Sequence, residues 1–179
     1  MTQGAEFDPE QILVVLDRYA VQYVLVGGYA ARLYGARRPT YDIDIAPSTA
    51  AENLQRLSAA LTELAAKIRV ADTEDGLPFA CSAESLRGMQ MLNLRTRSGD
   101  LDLAFAVAGF PEGYESLIGR AAPHAIAGMT VQVAGLQDVI KSKAAAGRPK
   151  DLEALPELIR IATGRERARA KDIDRGVEL

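Results

Sequence analysis

Residues 41–46, YDIDIA, restrict the possible folds more than any other stretch of this chain. Acidic and apolar residues alternate with a period of two, so the segment reads as a β-strand with Asp42 and Asp44 on one face and Tyr41, Ile43 and Ile45 on the other. Paired carboxylates repel one another and are costly among apolar neighbours, so this face must meet solvent or a cation. Upstream, YVLV (residues 23–26) is a short apolar run that ends at Gly27-Gly28, and YAARLYG follows. The unit reads as strand, glycine turn and helix, the helix stopped by Gly35. Glycines after a strand admit close backbone approach, and N–H groups opening a helix hydrogen-bond phosphate oxygens.

The rest of the chain supports an α/β domain. Asp8 followed by Pro9 is a helix start, and Ile12, Leu13, Leu16 and Tyr19 form one apolar stripe. Pro47 ends the aspartate strand, Ser48 or Thr49 caps a helix running to about Lys67, and ADTEDGLP reads as a polar loop. MQMLNLRT and DLDLAFAV flank Arg97-Ser98-Gly99 as a hairpin, PEGYESLIGRA is a short helix, and HAIAGMTVQVAG is a second hairpin turning at Gly128. A helix from about Leu136 to Ala146 follows, then a break at Gly147-Arg148-Pro149 and another helix from about Lys150 to Ile161 or beyond. The charged tail reads as a weakly held helix end. Two units are expected: a core over residues 1–134 and a helical segment over residues 135–179.

In DLDL, Asp100 and Asp102 share a strand face, with Asp102 between Leu101 and Leu103; Asp100 reads as a turn residue. If this strand lies beside YDIDIA, Asp102 joins Asp42 and Asp44, and three crowded carboxylates call for divalent cations. With one cysteine, Cys81, and one histidine, His124, a Cys/His zinc site is excluded, so any metal chemistry uses oxygen ligands. Oxygen ligands with room for phosphates suit Mg²⁺, or Mn²⁺, with an NTP as substrate. Cys81 and His124 read as structural or incidental. The net charge of −3 over 179 residues gives no signature of bulk nucleic-acid binding, so any such contact is local. The first residues lack the pattern of a secretory signal, and no apolar run reaches membrane-spanning length, so the expected location is cytoplasmic.

Gly27-Gly28, thirteen intervening residues, Asp-Ile-Asp-Ile, and an apolar-flanked aspartate about sixty residues later together resemble the DNA polymerase β-type nucleotidyltransferase superfamily. The C-terminal stretch LQDVIKSKAAAGRPKDLEAL resembles the AbiEii-like and MenT-type members, many of them toxins of toxin–antitoxin pairs. The resemblance implies a small mixed, twisted sheet with helices on one side, the carboxylates on its open face, and a helical C-terminal segment closing the cleft. It implies transfer of a nucleoside monophosphate with release of pyrophosphate. Asp42, Asp44 and Asp102 would hold metal, Asp102 would also help deprotonate the acceptor, and Gly27, Gly28 and Lys143 would hold the triphosphate. Asp151 would support Lys143. Lys141 and Lys143 stand two positions apart and cannot face the same way on a helix; Lys143 is favoured. Arg37-Arg38 precedes the aspartate strand, and Arg38 is a further candidate substrate contact. The implied acceptor is the 3′ end of tRNA, with a cognate antitoxin as partner. Other readings are nucleotidyl transfer to a small molecule or protein, and an inactive partner-binding module.

Overall fold

The computed structural model describes residues 6–176. Asp8 accepts a hydrogen bond from the Gln11 N–H and, with Pro9 in the first turn, starts helix α1 (Pro9–Arg18). Strand β1 (Tyr23–Val26) passes directly into α2 (Gly27–Leu33), so the helix begins on the glycine pair itself. Strand β2 (Asp42–Pro47) and helix α3 (Ala51–Glu63) follow, then β3 (Lys67–Val70), β4 (Thr73–Leu77) and the single turn α4 (Ala83–Leu86). The predicted hairpins are β5 (Met91–Thr96) with β6 (Gly99–Ala104), and β7 (Ala122–Ile126) with β8 (Met129–Val133), separated by the short helix α5 (Tyr114–Leu117). Helices α6 (Leu136–Ala146) and α7 (Pro149–Gly176) complete the described chain.

One mixed sheet runs in the order β4-β3-β5-β6-β2-β1-β8-β7. Strand β2 is antiparallel to β1 and parallel to β6, so the acidic strand is central and has no free edge. Ile43, Ile45, Leu101 and Leu103 are fully buried in one cluster with Ile12 and Leu16 of α1 and Leu54, Leu57 and Leu61 of α3. Each such side chain contributes roughly 1.5–3 kcal/mol by leaving water. That packing fixes the register, because a slip of one residue would turn the aspartates into the apolar layer.

Helix α7 is held at two levels. Leu158 is fully buried, and farther along the helix Arg165 lies over the Tyr34 ring, 5.1 Å from its centroid, and donates to the Tyr34 carbonyl. The Tyr34 hydroxyl in turn donates to the Ala134 carbonyl at 2.9 Å, and His124 packs edge-on against the same ring. Of the two sequence readings of His124, structural or incidental, this placement supports the structural one. Beyond Arg165 the helix is exposed through Arg175.

Several local expectations are corrected. Helix α3 ends at Glu63, and Lys67 belongs to β3, where Lys67 and Arg69 alternate with Ile68 and Val70. ADTEDGLP carries edge strand β4, paired with β3. Neither Ser48 nor Thr49 is the cap of α3; Ala50 holds that position, although the Ser48 hydroxyl accepts from its N–H. Tyr41 lies outside β2 and is 75% exposed, so it does not share the buried face of Ile43 and Ile45. Asp100 lies within β6, where it is tied to two arginines.

Candidate active site

Parallel pairing of β2 with β6 sets Asp42 opposite Asp100 and Asp44 opposite Asp102. Antiparallel pairing of β1 sets Val26 opposite Asp44, so the chain turns into α2 directly beside that carboxylate. Gly27 has φ +70°, and a Cβ there would lie 2.2 Å from Asp44 Oδ2. A side chain is thus excluded twice, by conformation and by space. At Gly28 a Cβ would lie 2.9 Å from Thr40 Oγ1, and that hydroxyl donates to Asp42 Oδ1 at 3.1 Å. The glycine pair therefore serves the carboxylates as well as leaving N–H groups at a helix start.

Gly27, Gly28, Thr40, Asp42, Asp44 and Asp102 line a cleft of about 580 Å³ between the sheet and helices α6 and α7. Gly27, Gly28, Arg38, Asp42, Asp44, Asp102, Lys143 and Asp151, the candidates drawn from the sequence, all reach it. Burial, reinforced by the charges of Asp42 and Asp102, pushes the Asp44 carboxyl up to about 7, with Lys150 and Lys143 acting in the opposite sense. Burial also raises Asp102 above the usual carboxylate range despite the opposing Arg69 charge.

The helical wall is electrostatically different. Asp151 is 1% exposed and accepts from Arg148 Nε at 2.6 Å and from Lys143 Nζ at 3.4 Å. Burial alone would raise its pKa, but the hydrogen bonds and charges of Arg148 and Lys143 hold it below the usual range. Lys143 faces the cleft, whereas Lys141 turns away and sits 4.4 Å from the centroid of the Phe110 ring. Arg38 borders the cleft, yet its guanidinium pairs with Glu153 at 3.0 Å on the surface, and the Arg37 N–H donates to Glu157. Cys81 lies away from the cleft, its thiol against the Ser58 carbonyl.

Thr40, Arg148 and Lys150 also line the cleft and were not among the sequence candidates. Arg148 and Lys150 flank Pro149 beside Asp151, and the basic pair bracketing an acidic helix start was the available signal. Among the described residues no group of three or more His, Cys, Asp or Glu side chains is arranged to hold a metal ion as it stands. The donor set nevertheless fits a hard divalent cation: all its atoms are oxygen, the carboxylates repel one another, and buried Asp102 Oδ1 accepts no hydrogen bond, its nearest cation being Arg69 Nη2 at 3.0 Å.

The architecture is the nucleotidyltransferase fold. The chain is similar in structure to the lincosamide antibiotic adenylyltransferase LnuA in its lincomycin-bound form, with a TM-score of 0.56, 15% identity, and coverage of 87% of this chain and 99% of that one. It is similar to ANT(2″)-Ia in complex with adenylyl-2″-tobramycin, with a TM-score of 0.52, 19% identity, and coverage of 94% and 95%. A protein of Thermotoga maritima described as a nucleotidyltransferase gives a TM-score of 0.51 at 18% identity, over 89% and 99%. No protein-family model and no curated protein sequence matches the chain. Among the described residues, no helix is long and apolar enough to cross a membrane.

Proposed function

We propose that the chain is a nucleotidyltransferase that moves a nucleoside monophosphate from an NTP to an acceptor hydroxyl. The observation that carries this reading is the β2–β6 register, with Asp44 beside Asp102 and Gly27 packed directly on Asp44. Asp42, Asp44 and Asp102 would hold divalent cations, which when bound supply charge neutralisation to the triphosphate and activation of the acceptor oxygen. The α2 N–H groups at Gly27-Gly28 and the Lys143 ammonium hold the triphosphate, and Asp151 orients Lys143 while Arg148 faces the same anion. The acceptor oxygen bonds to the α-phosphorus, the bond to the bridging oxygen breaks, and pyrophosphate leaves with that electron pair. Asp102 takes part in removing the hydroxyl proton. Positioning and preorganised charge supply most of the acceleration.

The acceptor is read as the 3′ end of tRNA, in a toxin with a cognate antitoxin, on the resemblance of the C-terminal third to AbiEii-like and MenT-type proteins. A small-molecule acceptor is the second reading. It is favoured by the fold shared over nearly the whole length of two antibiotic adenylyltransferases. The test is incubation with each NTP, radiolabelled at the α-phosphate, with Mg²⁺ and either total RNA or a panel of aminoglycosides and lincosamides. An Asp42→Ala/Asp44→Ala double variant is the control. Label in a tRNA-sized band, lost in the control, supports the first acceptor, and label on a drug supports the second. No labelled product, and no pyrophosphate release with any NTP, would overturn transferase activity itself.

A further inference from the structure

We propose that the outward face of α7 beyond the cleft, with Arg160, Arg167 and Lys171, is a track for the phosphate backbone of an RNA acceptor whose 3′ end enters the active site. The inference rests on reading the chain as a transferase to an acceptor hydroxyl, and it commits that acceptor to a polyanion. A second cavity of about 310 Å³, lined by Gly35, Arg37, Glu157, Arg160 and Ile161, adjoins the catalytic cleft through Glu157, which lines both. On this side the cleft therefore opens past two guanidinium groups. Glu157 is the one acid among these lining residues, and its carboxylate already accepts the Arg37 N–H at 3.1 Å.

From Arg160 the positive charge continues along the helix. Arg167 and Lys171 follow at intervals of seven and four residues, so the three lie within about 40° of one another around the axis and cover about 16 Å of its length. All three are exposed, and none is ion-paired with a described residue. The acids of this stretch point elsewhere. Glu166 accepts from Gln137 of α6 at 3.3 Å and so faces the domain, and Asp172 lies about 100° round the helix from Lys171. Asp174 comes near the far end of the stripe, where Arg175 offsets it. Between the cations stand Gly164 and Ala168, too small to obstruct an approaching chain. The helix is also fixed where the stripe runs, because Arg165 pins it to the ring and the carbonyl of Tyr34.

A row of unpaired cations beside the cleft matches a ligand with one negative charge per repeat, and it repels a polycation such as an aminoglycoside. Phosphate contacts give affinity and position without reading sequence. Because the whole chain carries a net charge of −3, affinity for RNA has to come from a local row of this kind. The measurement is fluorescence anisotropy of a 5′-labelled single-stranded RNA of about 12 nucleotides, titrated with the full chain in EDTA at salt from about 50 to 200 mM. Arg160→Gln/Arg167→Gln/Lys171→Gln should weaken binding about tenfold or more at the lower salt. It should also reduce the slope of log K against log salt by about 2, three contacts at roughly 0.7 each on a single strand. Arg169→Gln, on the opposite side of the same helix, should change the affinity by less than about twofold.

Wild-type affinity in the triple variant, or equal losses in Arg167→Gln and Arg169→Gln, would overturn the track. A wild-type chain that labels a small-molecule acceptor and binds no RNA would overturn it too, while leaving the transferase intact. In the transfer reaction the triple variant should raise KM for RNA, with kcat and KM for the NTP kept within about twofold, because the stripe lies outside the cleft that holds the triphosphate. The proposed function fails separately. RNA binding that depends on the stripe, with no pyrophosphate released from any NTP, would remove the transferase and leave the RNA-binding face standing.

Discussion

Asp44 and Asp151 line one cleft, but from different layers and under opposite electrostatic conditions. On the sheet, Asp44 stands beside two further carboxylates and is pushed up to about 7. On α7, Asp151 lies between Arg148 and Lys143 and is held low. Burial works against ionisation in both places; at Asp44 it is the largest influence and the neighbouring carboxylates add to it, whereas at Asp151 Arg148 and Lys143 together outweigh it. The sheet side has an excess of negative charge that an incoming cation would relieve. The helical side has neutralised its own carboxylate and keeps surplus positive charge, from Arg148, Lys143 and Lys150, for an incoming anion. The metal–triphosphate complex of the proposed reaction would supply both.

The contrast is broken most severely at Asp44. Asp44→Ala should lower nucleotidyl transfer by at least about 10²–10³-fold, the scale of losing one preorganised electrostatic contact, while the fold remains intact by circular dichroism. Wild-type turnover in that variant would remove Asp44 from the site. On the helical side the expected consequence is structural. Asp151→Ala leaves Lys143 and Arg148 without their shared partner and should cost about 2 kcal/mol, roughly 4–8 °C in Tm. The cost is modest for a buried pair because the Arg148 side chain, 61% exposed, can turn to water. An unchanged Tm would mean that Asp151 is not holding the helical wall.

A smaller effect separates two neighbouring lysines. Lys143→Ala should raise KM for the NTP about tenfold, near the value of one charge-assisted contact, while Lys141→Ala should change it by less than about twofold. Lys143 lines the cleft with Asp151, and Lys141 lies over Phe110 instead. The reverse order in steady-state kinetics would place the triphosphate elsewhere.

Which parts of this arrangement the sequence revealed follows from the range of the interactions involved. Alternation in YDIDIA and DLDL is local, and the buried partners Ile43, Ile45, Leu101 and Leu103 make it unambiguous. The central strands and the three carboxylates were therefore readable. Strands β3 and β4 were not, because KIRV follows a helix without a glycine or proline break, and in TEDGL Thr73 is followed by Glu, Asp and Gly, residues depleted in strands. Its Gly76, at φ +74°, is there for a close approach to the Ile68 carbonyl, a contact invisible before the strands are paired. Arg69 was missed for the same reason. Its targets lie two strands away, and only the β3-β5-β6 order brings them within reach. Asp100, next to a glycine turn, looked like a turn residue until that arginine gave it a partner.

The smallest expected effect is a gain. The Asp44 carboxyl is raised from 3.8 to about 7, so between those limits the folded chain keeps a proton that the unfolded chain has released. Its contribution to stability therefore falls as pH rises through this window and levels off above it. Asp151, held low, has the opposite sign: its contribution is present at neutral pH and is lost only as acid protonates it. Asp44→Asn removes the first contribution and not the second. Without divalent ions it should melt at a higher temperature than wild type, by on the order of 1 kcal/mol or about 2–4 °C, with a larger gain near about pH 8 than near about pH 5. Saturating Mg²⁺ should raise the wild-type Tm and close the gap, because ion binding to the folded chain offsets the same repulsion. A gain that is equal at both pH values would show that burial and the neighbouring carboxylates do not raise the Asp44 carboxyl, and the contrast between the two walls of the cleft would lose its electrostatic basis.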